Sequence, residues 1–345
     1  MSRLARLAAA ALCAAVLNVL PAAGSAQADD GAVILIYHRF GETQHPSTSV
    51  TLDQFDRQLA AIRDGGYRVA PLPELVAALA DGSPIPPRTV AITIDDGYVS
   101  TYRTAWPRLR ALGYPFTLFV STDAADAGAG DLMNWDQIRE MEADPLVTIG
   151  HHSAAHAHMA DLDPSAAAAD LARADARFIA ELGGIPDLFA YPYGEYGKPL
   201  RDLVADRGFT AAFGQFSGVA DRWADRYGLP RFPLNASTSH DAFVLRLGAM
   251  PLPALDVEPA DTVIGAVNPP AVSFRMLQPD DDGGPLRPDA LNCFLDGAAL
   301  AVAIDGDRVS PVLPSALGPG RSRLNCTMPA AGGRWRWFGM QFYRP

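Results

Sequence analysis

An α/β domain with parallel strand pairing, followed by a small all-β domain, is the fold this sequence predicts, and two observations carry the prediction. From Ala32 to about Met250, strand-like apolar runs alternate with helical stretches, the order that yields parallel strands joined by crossover helices in an open or closed sheet. Beyond the Pro-rich stretch from Met250 to Asp261 helical periodicity is absent, and short apolar runs are separated by Gly, Pro, Asn and Asp, as in antiparallel β structure. At 345 residues the chain exceeds one typical domain.

The elements follow in order. Arg3 and Arg6 precede an Ala/Leu/Val stretch that ends in small residues at Ala26 and Ala28, the pattern of a secretory signal peptide over residues 1–28. The stretch is short and broken by Asn18 and Pro21, which disfavours a membrane span, and no later segment is apolar enough for one. A lipid-modified Cys13 is disfavoured by Leu12 before it. The mature chain is therefore expected to be exported, periplasmic or extracellular, with no transmembrane segment. Formal net charge is −11, and losing the two positive charges of Arg3 and Arg6 takes it to −13. With no Lys/Arg cluster along the chain, nucleic acid and anionic membrane are not expected as partners.

Within the expected α/β domain, residues 29–250, the runs Val-Ile-Leu-Ile-Tyr, Thr-Val-Ala-Ile-Thr-Ile, Phe-Thr-Leu-Phe-Val, Leu-Val-Thr-Ile-Gly and Leu-Phe-Ala-Tyr read as strands. The span from Leu52 to Ile62 and the Ala-rich span from Ser165 to Leu182 read as helices. Asp95 and Asp96 follow the second run, at the C-terminal end of a buried strand, with Gly97 permitting the sharp exit. One carboxylate there can bind metal while its neighbour activates water. His152 and His156 follow the fourth run and, spaced by four, are expected to share a helical face. His151 and His158 flank them as supporting or solvent-facing groups. Two His nitrogens and one Asp oxygen leave coordination positions open, as catalytic zinc sites do.

Residues 251–261 read as a linker and 262–345 as a small β domain, sandwich-like. Cys293 and Cys326 remain as an even pair in an oxidising compartment and are expected to form a disulfide. Trp335 and Trp337 alternate along a strand and should share a face, for packing rather than glycan contact.

Thr-Ile-Asp-Asp-Gly, His-Ser-Ala-Ala-His and Tyr-Pro-Tyr-Gly, in this order, resemble the first three motifs of the polysaccharide deacetylase family, the NodB-homology carbohydrate esterases of family four. Ile-Leu-Ile-Tyr-His at Ile34, Gly-Gly-Tyr-Arg-Val at Gly65 and Phe-Ala-Tyr-Pro-Tyr-Gly at Phe189 are similar to the exported branch acting on poly-N-acetylglucosamine. The resemblance covers roughly Ala32 to Phe232. It implies a distorted (β/α) barrel with fewer than eight complete strands, its site at their C-terminal ends. It also implies one divalent ion, zinc first and cobalt, nickel or manganese as alternatives, and an N-acetylated polysaccharide as substrate. By resemblance Asp95 is the catalytic base, Asp96, His152 and His156 are metal ligands, and the Tyr193 backbone N–H helps hold the oxyanion. Poly-N-acetylglucosamine is the implied polymer, with chitin-type chains and peptidoglycan as alternatives.

Cleaving an amide requires a proton on the leaving amine, hence a general acid. The wider family's Leu-x-His acid is missing; His38, at the end of the first strand, is the candidate, with His240 second. The family's base-orienting Arg is also missing, and Arg231 or Arg222 is a candidate replacement. Tyr98, Trp135 and Tyr196 lie near the motifs and could stack on sugar rings. A serine esterase is disfavoured because Gly214 opens Gly-Gln-Phe-Ser-Gly, with the wrong spacing for a nucleophile elbow. A catalytically weak glycan-binding protein that keeps the metal fold is the main alternative.

Overall fold

The computed structural model describes residues 29–279 and 281–345; the expected signal peptide, with Cys13, lies outside them. Six strands stand side by side, all parallel: β1 (Gly31–Tyr37), β2 (Thr89–Ile94), β3 (Phe116–Val120), β4 (Val147–His151), β5 (Leu188–Ala190) and β6 (Ala211–Phe213). Every residue of β1, β2 and β3 is buried, which is why these strands read as unbroken apolar runs rather than alternating ones. Alternate residues serve two layers. Val33, Leu35 and Tyr37 pack outward with Phe55, Leu59 and Ile62, while Ala32 and Ile34 join Phe119 and Phe213.

The curled sheet is completed by one irregular segment. Leu229 exchanges hydrogen bonds with β6 (its N–H to Ala212 O and Gly214 N–H to its O, both 2.9 Å), and Phe232 and Pro233 then pair in parallel with Leu35 and Ile36 of β1. Residues 229–233 thus bridge the two outer strands, giving a distorted barrel with six full parallel strands, in keeping with the fewer than eight complete strands that the resemblance implied.

Eight α-helices lie among the described residues: α1 (Leu52–Asp64), α2 (Leu72–Asp81), α3 (Trp106–Ala111), α4 (Thr122–Ala127), α5 (Trp135–Glu142), α6 (Pro164–Leu182), α7 (Lys198–Asp206) and α8 (His240–Leu247). Their starts are written locally. Thr51 and Gln54 form a reciprocal capping box on α1, as Asn134 and Gln137 do on α5. Asp163 caps α6 ahead of Pro164. None is long and apolar enough to cross a membrane.

The C-terminal part is built from β7 (Ala254–Glu258), β8 (Ser273–Met276), β9 (Asn292–Leu295), β10 (Ala301–Asp305), β11 (Arg308–Val312), β12 (Gly320–Pro329) and β13 (Trp335–Arg344). One sheet runs β7, β8, β11, β10; the other pairs Met250–Pro251 with β13, then β12, β9 and Ala298–Ala299. Leu252, Phe274, Val309, Leu324 and Phe342 share the core between them. Cys293 and Cys326 sit opposite each other on β9 and β12 and are joined as a disulfide.

The expected linker is corrected here. Met250–Pro251 pairs with β13 and Ala254–Glu258 is β7, so the prolines of this stretch mark sheet edges and turns rather than free chain. Trp337 meets Phe232 of the barrel edge-on at 5.1 Å, and its indole N–H donates to Asn325 at 3.0 Å, so this aromatic packs the appended sheets onto the barrel.

Candidate functional site

The site lies at the C-terminal ends of the barrel strands. Asp95 follows β2 directly, its N–H bonded to Tyr37 O of β1 at 3.0 Å. The residue is 2 % exposed, and its carboxylate is gripped by the fully buried Arg231 guanidinium: Nη1 to Oδ1 at 2.7 Å and Nη2 to Oδ2 at 2.8 Å. Arg231 is fixed in turn by Gly214 O at 2.9 Å and lies near the rings of Phe119 and Phe213. A forked, charge-assisted pair of this kind fixes carboxylate orientation as well as charge. Arg222, the other candidate, pairs with Asp30 instead.

Asp96 turns the opposite way because its backbone is left-handed, φ 73°, followed by Gly97 at φ 75°. Adjacent carboxylates are thereby separated, one toward Arg231 and one toward the imidazoles. Asp96 Oδ1 lies 3.3 Å from His152 Nε2 and 3.1 Å from His156 Nε2. Burial alone would raise the Asp96 carboxyl, but the two imidazoles beside it hold it well below the usual carboxylate range. Burial likewise opposes the charged form of His152, yet Asp96 and Asp95 raise it above the ordinary histidine value.

These atoms fit a metal. All three ligand atoms lie within 4.8 Å of one another, and Asp96 Oδ1 is buried with no hydrogen-bond partner, as an oxygen kept for a cation would be. His152 Nδ1 lies 2.7 Å from Ala190 O, which can only accept, so the proton sits on Nδ1 and the Nε2 lone pair is free for coordination. A second group, Glu42, His45 and Asp131, already has Arg39 bonded to both carboxylates.

The two histidines do not share a helical face, contrary to the sequence expectation. They lie in an irregular loop after β4, where Ser153 (φ 66°) and His156 (φ 51°) are left-handed. The loop is held by Asp170 of α6, whose carboxylate accepts from the N–H groups of Ala154 at 2.8 Å and Ala155 at 3.1 Å. Sequence reading missed Asp170, since nothing marks one helical aspartate among many. His151 points away from the cluster, with Nε2 3.3 Å from Asp175 Oδ1.

Tyr193 is also left-handed, φ 60°, in the turn Pro192–Gly194. Of seven non-glycine residues with positive φ among those described, four are Asp96, Ser153, His156 and Tyr193. Each such residue costs on the order of 1 kcal/mol or more, and strain of this kind persists where surroundings over-determine it. The Tyr193 ring stacks on His158 at 4.0 Å and meets His156 edge-on at 4.6 Å. His158 Nδ1 lies 2.6 Å from Glu195 Oε2.

His38 follows β1, 9 % exposed, with Nε2 3.2 Å from the Gln215 side-chain amide. Burial lowers its pKa, partly offset by Asp96 and Asp95. Tyr98 is half-buried beneath the Arg39 guanidinium, 3.5 Å above its ring, and its hydroxyl is pushed up to about 12 by burial and the Asp96 charge. The structure does not bring the remaining candidates here. Trp135 is 7 % exposed, packs edge-on to Phe178 and donates its indole N–H to Asp126 at 2.7 Å; an N-terminal helix position turned into the core leaves no face for a sugar. Tyr196 stacks on Tyr191 at 4.6 Å and lines a cavity with Trp223 and Trp337. His240 opens α8 on the outside of the barrel, exposed.

A parallel α/β barrel with a carboxylate–bis-histidine cluster and an Arg-anchored second carboxylate at its strand ends defines the class of protein. Residues 82–212 match the family model for polysaccharide deacetylases. It is 25 % identical over 210 residues to YxkH of Bacillus subtilis (strain 168), named as a candidate polysaccharide deacetylase, covering 61 % of this chain and 74 % of that protein. It is 29 % identical over 118 residues to the poly-beta-1,6-N-acetyl-D-glucosamine N-deacetylase of Escherichia coli (strain K12), covering 30 % of this chain and only 18 % of that enzyme. Among solved structures, IcaB from Ammonifex degensii superposes with TM-score 0.55 at 29 % identity, over 64 % of this chain and 96 % of that one. The Streptococcus pyogenes deacetylase PplD in complex with acetate shares the fold, with TM-score 0.58 at 22 % identity over 63 % and 98 %.

Proposed function

We propose that the protein is an exported, metal-dependent N-deacetylase that removes acetyl groups from an N-acetylhexosamine polysaccharide, poly-N-acetylglucosamine by preference. The carrying observation is the separation of two adjacent carboxylates, Asp96 among imidazoles and Asp95 on Arg231. The match of residues 82–212 to the polysaccharide deacetylase model, together with similarity to the Escherichia coli and Ammonifex degensii proteins, supports the substrate class. The Arg231 contact weakens the binding-protein alternative, which rested partly on a missing arginine.

Asp96, His152 and His156 would hold the ion. A divalent cation there, zinc first, supplies Lewis acidity for the acetamide carbonyl and lowers the pKa of water. Asp95, fixed by Arg231, accepts the proton of the attacking water. The Tyr193 N–H donates to the oxygen that becomes negative as the carbonyl carbon turns tetrahedral. His38, whose burial makes its charged form a stronger acid, delivers a proton to the amine nitrogen as the C–N bond breaks. Acetate and a free amine are the products.

Acetate release from poly-N-acetylglucosamine oligomers, with chitin oligomers in parallel, tests this. Activity should vanish on chelation and return with zinc. Asp95→Asn should abolish turnover at full metal content, while His152→Ala should lose both. Equal metal loss in the two variants would overturn the assignment of base and ligand. No release from any polymer, by protein that binds metal stoichiometrically and binds glycan, would favour the binding-protein reading.

A further inference from the structure

We propose that the appended β sheet completes the active site, with Gln341 of β13 as a positioning residue for the turn that carries Tyr193; this rests on the function proposed above. The turn is strained at Tyr193, and its own hydrogen bonds are few. Gly194 N–H reaches Tyr191 O at 2.8 Å and Glu195 N–H reaches Pro192 O at 3.2 Å. What grips its carbonyls comes from the other sheet. The Gln341 side-chain amide donates to Gly194 O at 2.9 Å and, more weakly, to Tyr193 O at 3.4 Å. Arg321 Nη1 of β12 donates to Tyr193 O at 3.2 Å. Gln341 is 3 % exposed, so its bonds are shielded from competing water.

Gln341 is itself aimed. Arg323 Nε of β12 reaches Gln341 Oε1 at 3.1 Å, which leaves the amide nitrogen facing the turn, and also reaches Gln215 O at 3.2 Å. Gln215 is the residue whose side chain meets His38. One Arg/Gln pair outside the barrel therefore holds both the oxyanion turn and the loop beside the candidate acid. The contact is close: a Cβ at Gly339 of β13 would lie 1.9 Å from Ser217 O, so only glycine lets this strand press on the loop after β6. The separation of Gln341 from Gly194 by 147 residues explains why no local sequence pattern announces the contact.

The test uses the full-length protein with Gln341→Met, which keeps the side chain's length and removes its donor, and with Arg321→Gln, a partly exposed position whose replacement spares the core. Two readouts are taken per metal-loaded molecule: kcat and KM for deacetylation, and hydrogen exchange at the Gly194 and Glu195 amides. Gln341→Met should lower kcat about tenfold with KM unchanged, as for a contact that acts in the transition state, and speed exchange at these amides about tenfold while distant barrel amides are unmoved. Arg321→Gln should do the same about threefold. Unchanged exchange in Gln341→Met, or unchanged kcat despite faster exchange, overturns the proposal. If the unaltered protein deacetylates nothing, the proposed function fails by itself and exchange alone decides whether the sheet holds the turn.

Discussion

At the residue scale the site depends on directing two neighbouring carboxylates to different partners, and Arg231 is the counterweight. Arg231→Lys keeps the charge but loses the fork, so kcat should fall about a hundredfold at unchanged metal content, measured by steady-state turnover and metal analysis. His38→Gln should slow amide cleavage more than cleavage of an acetate ester with a good leaving group; equal losses would remove it as the acid. Asp221 provides a pH test. Burial raises its pKa to about 7, against the lowering effect of the Trp223 and Ala224 N–H groups. A raised carboxyl binds its proton more tightly in the folded than the unfolded state, so stability should fall as pH rises from about 4 to about 7. Asp221→Asn, which keeps an oxygen for both N–H groups, should flatten that fall and stabilise the protein at pH 8 by on the order of 3 kcal/mol in denaturant titrations. The residues proposed as metal ligands and base were legible in sequence because each lies in a short string at a strand end. Arg231 was only one of two candidates, because its link to Asp95 is long-range. Trp135 misled because proximity in sequence to a motif says nothing of which way an indole faces.

At the element scale, loops rather than helices present the imidazoles. The spacing of four between His152 and His156 suggested one helical face; the structure achieves the same meeting with two left-handed residues and a carboxylate from α6. Asp170→Ala should therefore weaken metal affinity 10- to 100-fold, the usual range for supports of ligating residues, in a competitive zinc titration. Alternating strand and helix patterns were readable because the buried parallel strands are apolar throughout. The stretch 251–261 was not, since prolines at sheet edges resemble prolines in a linker. What distinguishes them is pairing with β13, some 85 residues later, and pairing at that distance leaves no local mark.

At the scale of the whole molecule, metal binding and folding should be coupled. A cluster that includes a buried, unpartnered carboxylate oxygen is destabilising until it is filled, so zinc at about a hundred times its dissociation constant should stabilise the protein by about 2.7 kcal/mol, read as a rise in melting temperature. The segment 229–233 has a consequence in time rather than in space. Arg231 lies 136 residues after Asp95, on the piece that joins the barrel's first and last strands. Synthesis runs from the N-terminus, and contacts so distant form late. A nascent or partly threaded chain would already carry both carboxylates and both imidazoles, yet Asp95, the proposed base, would have no anchor. On the proposed mechanism such a chain is silent, and laying the last rung of the barrel is one condition for turnover, met before β13 arrives to hold the Tyr193 turn.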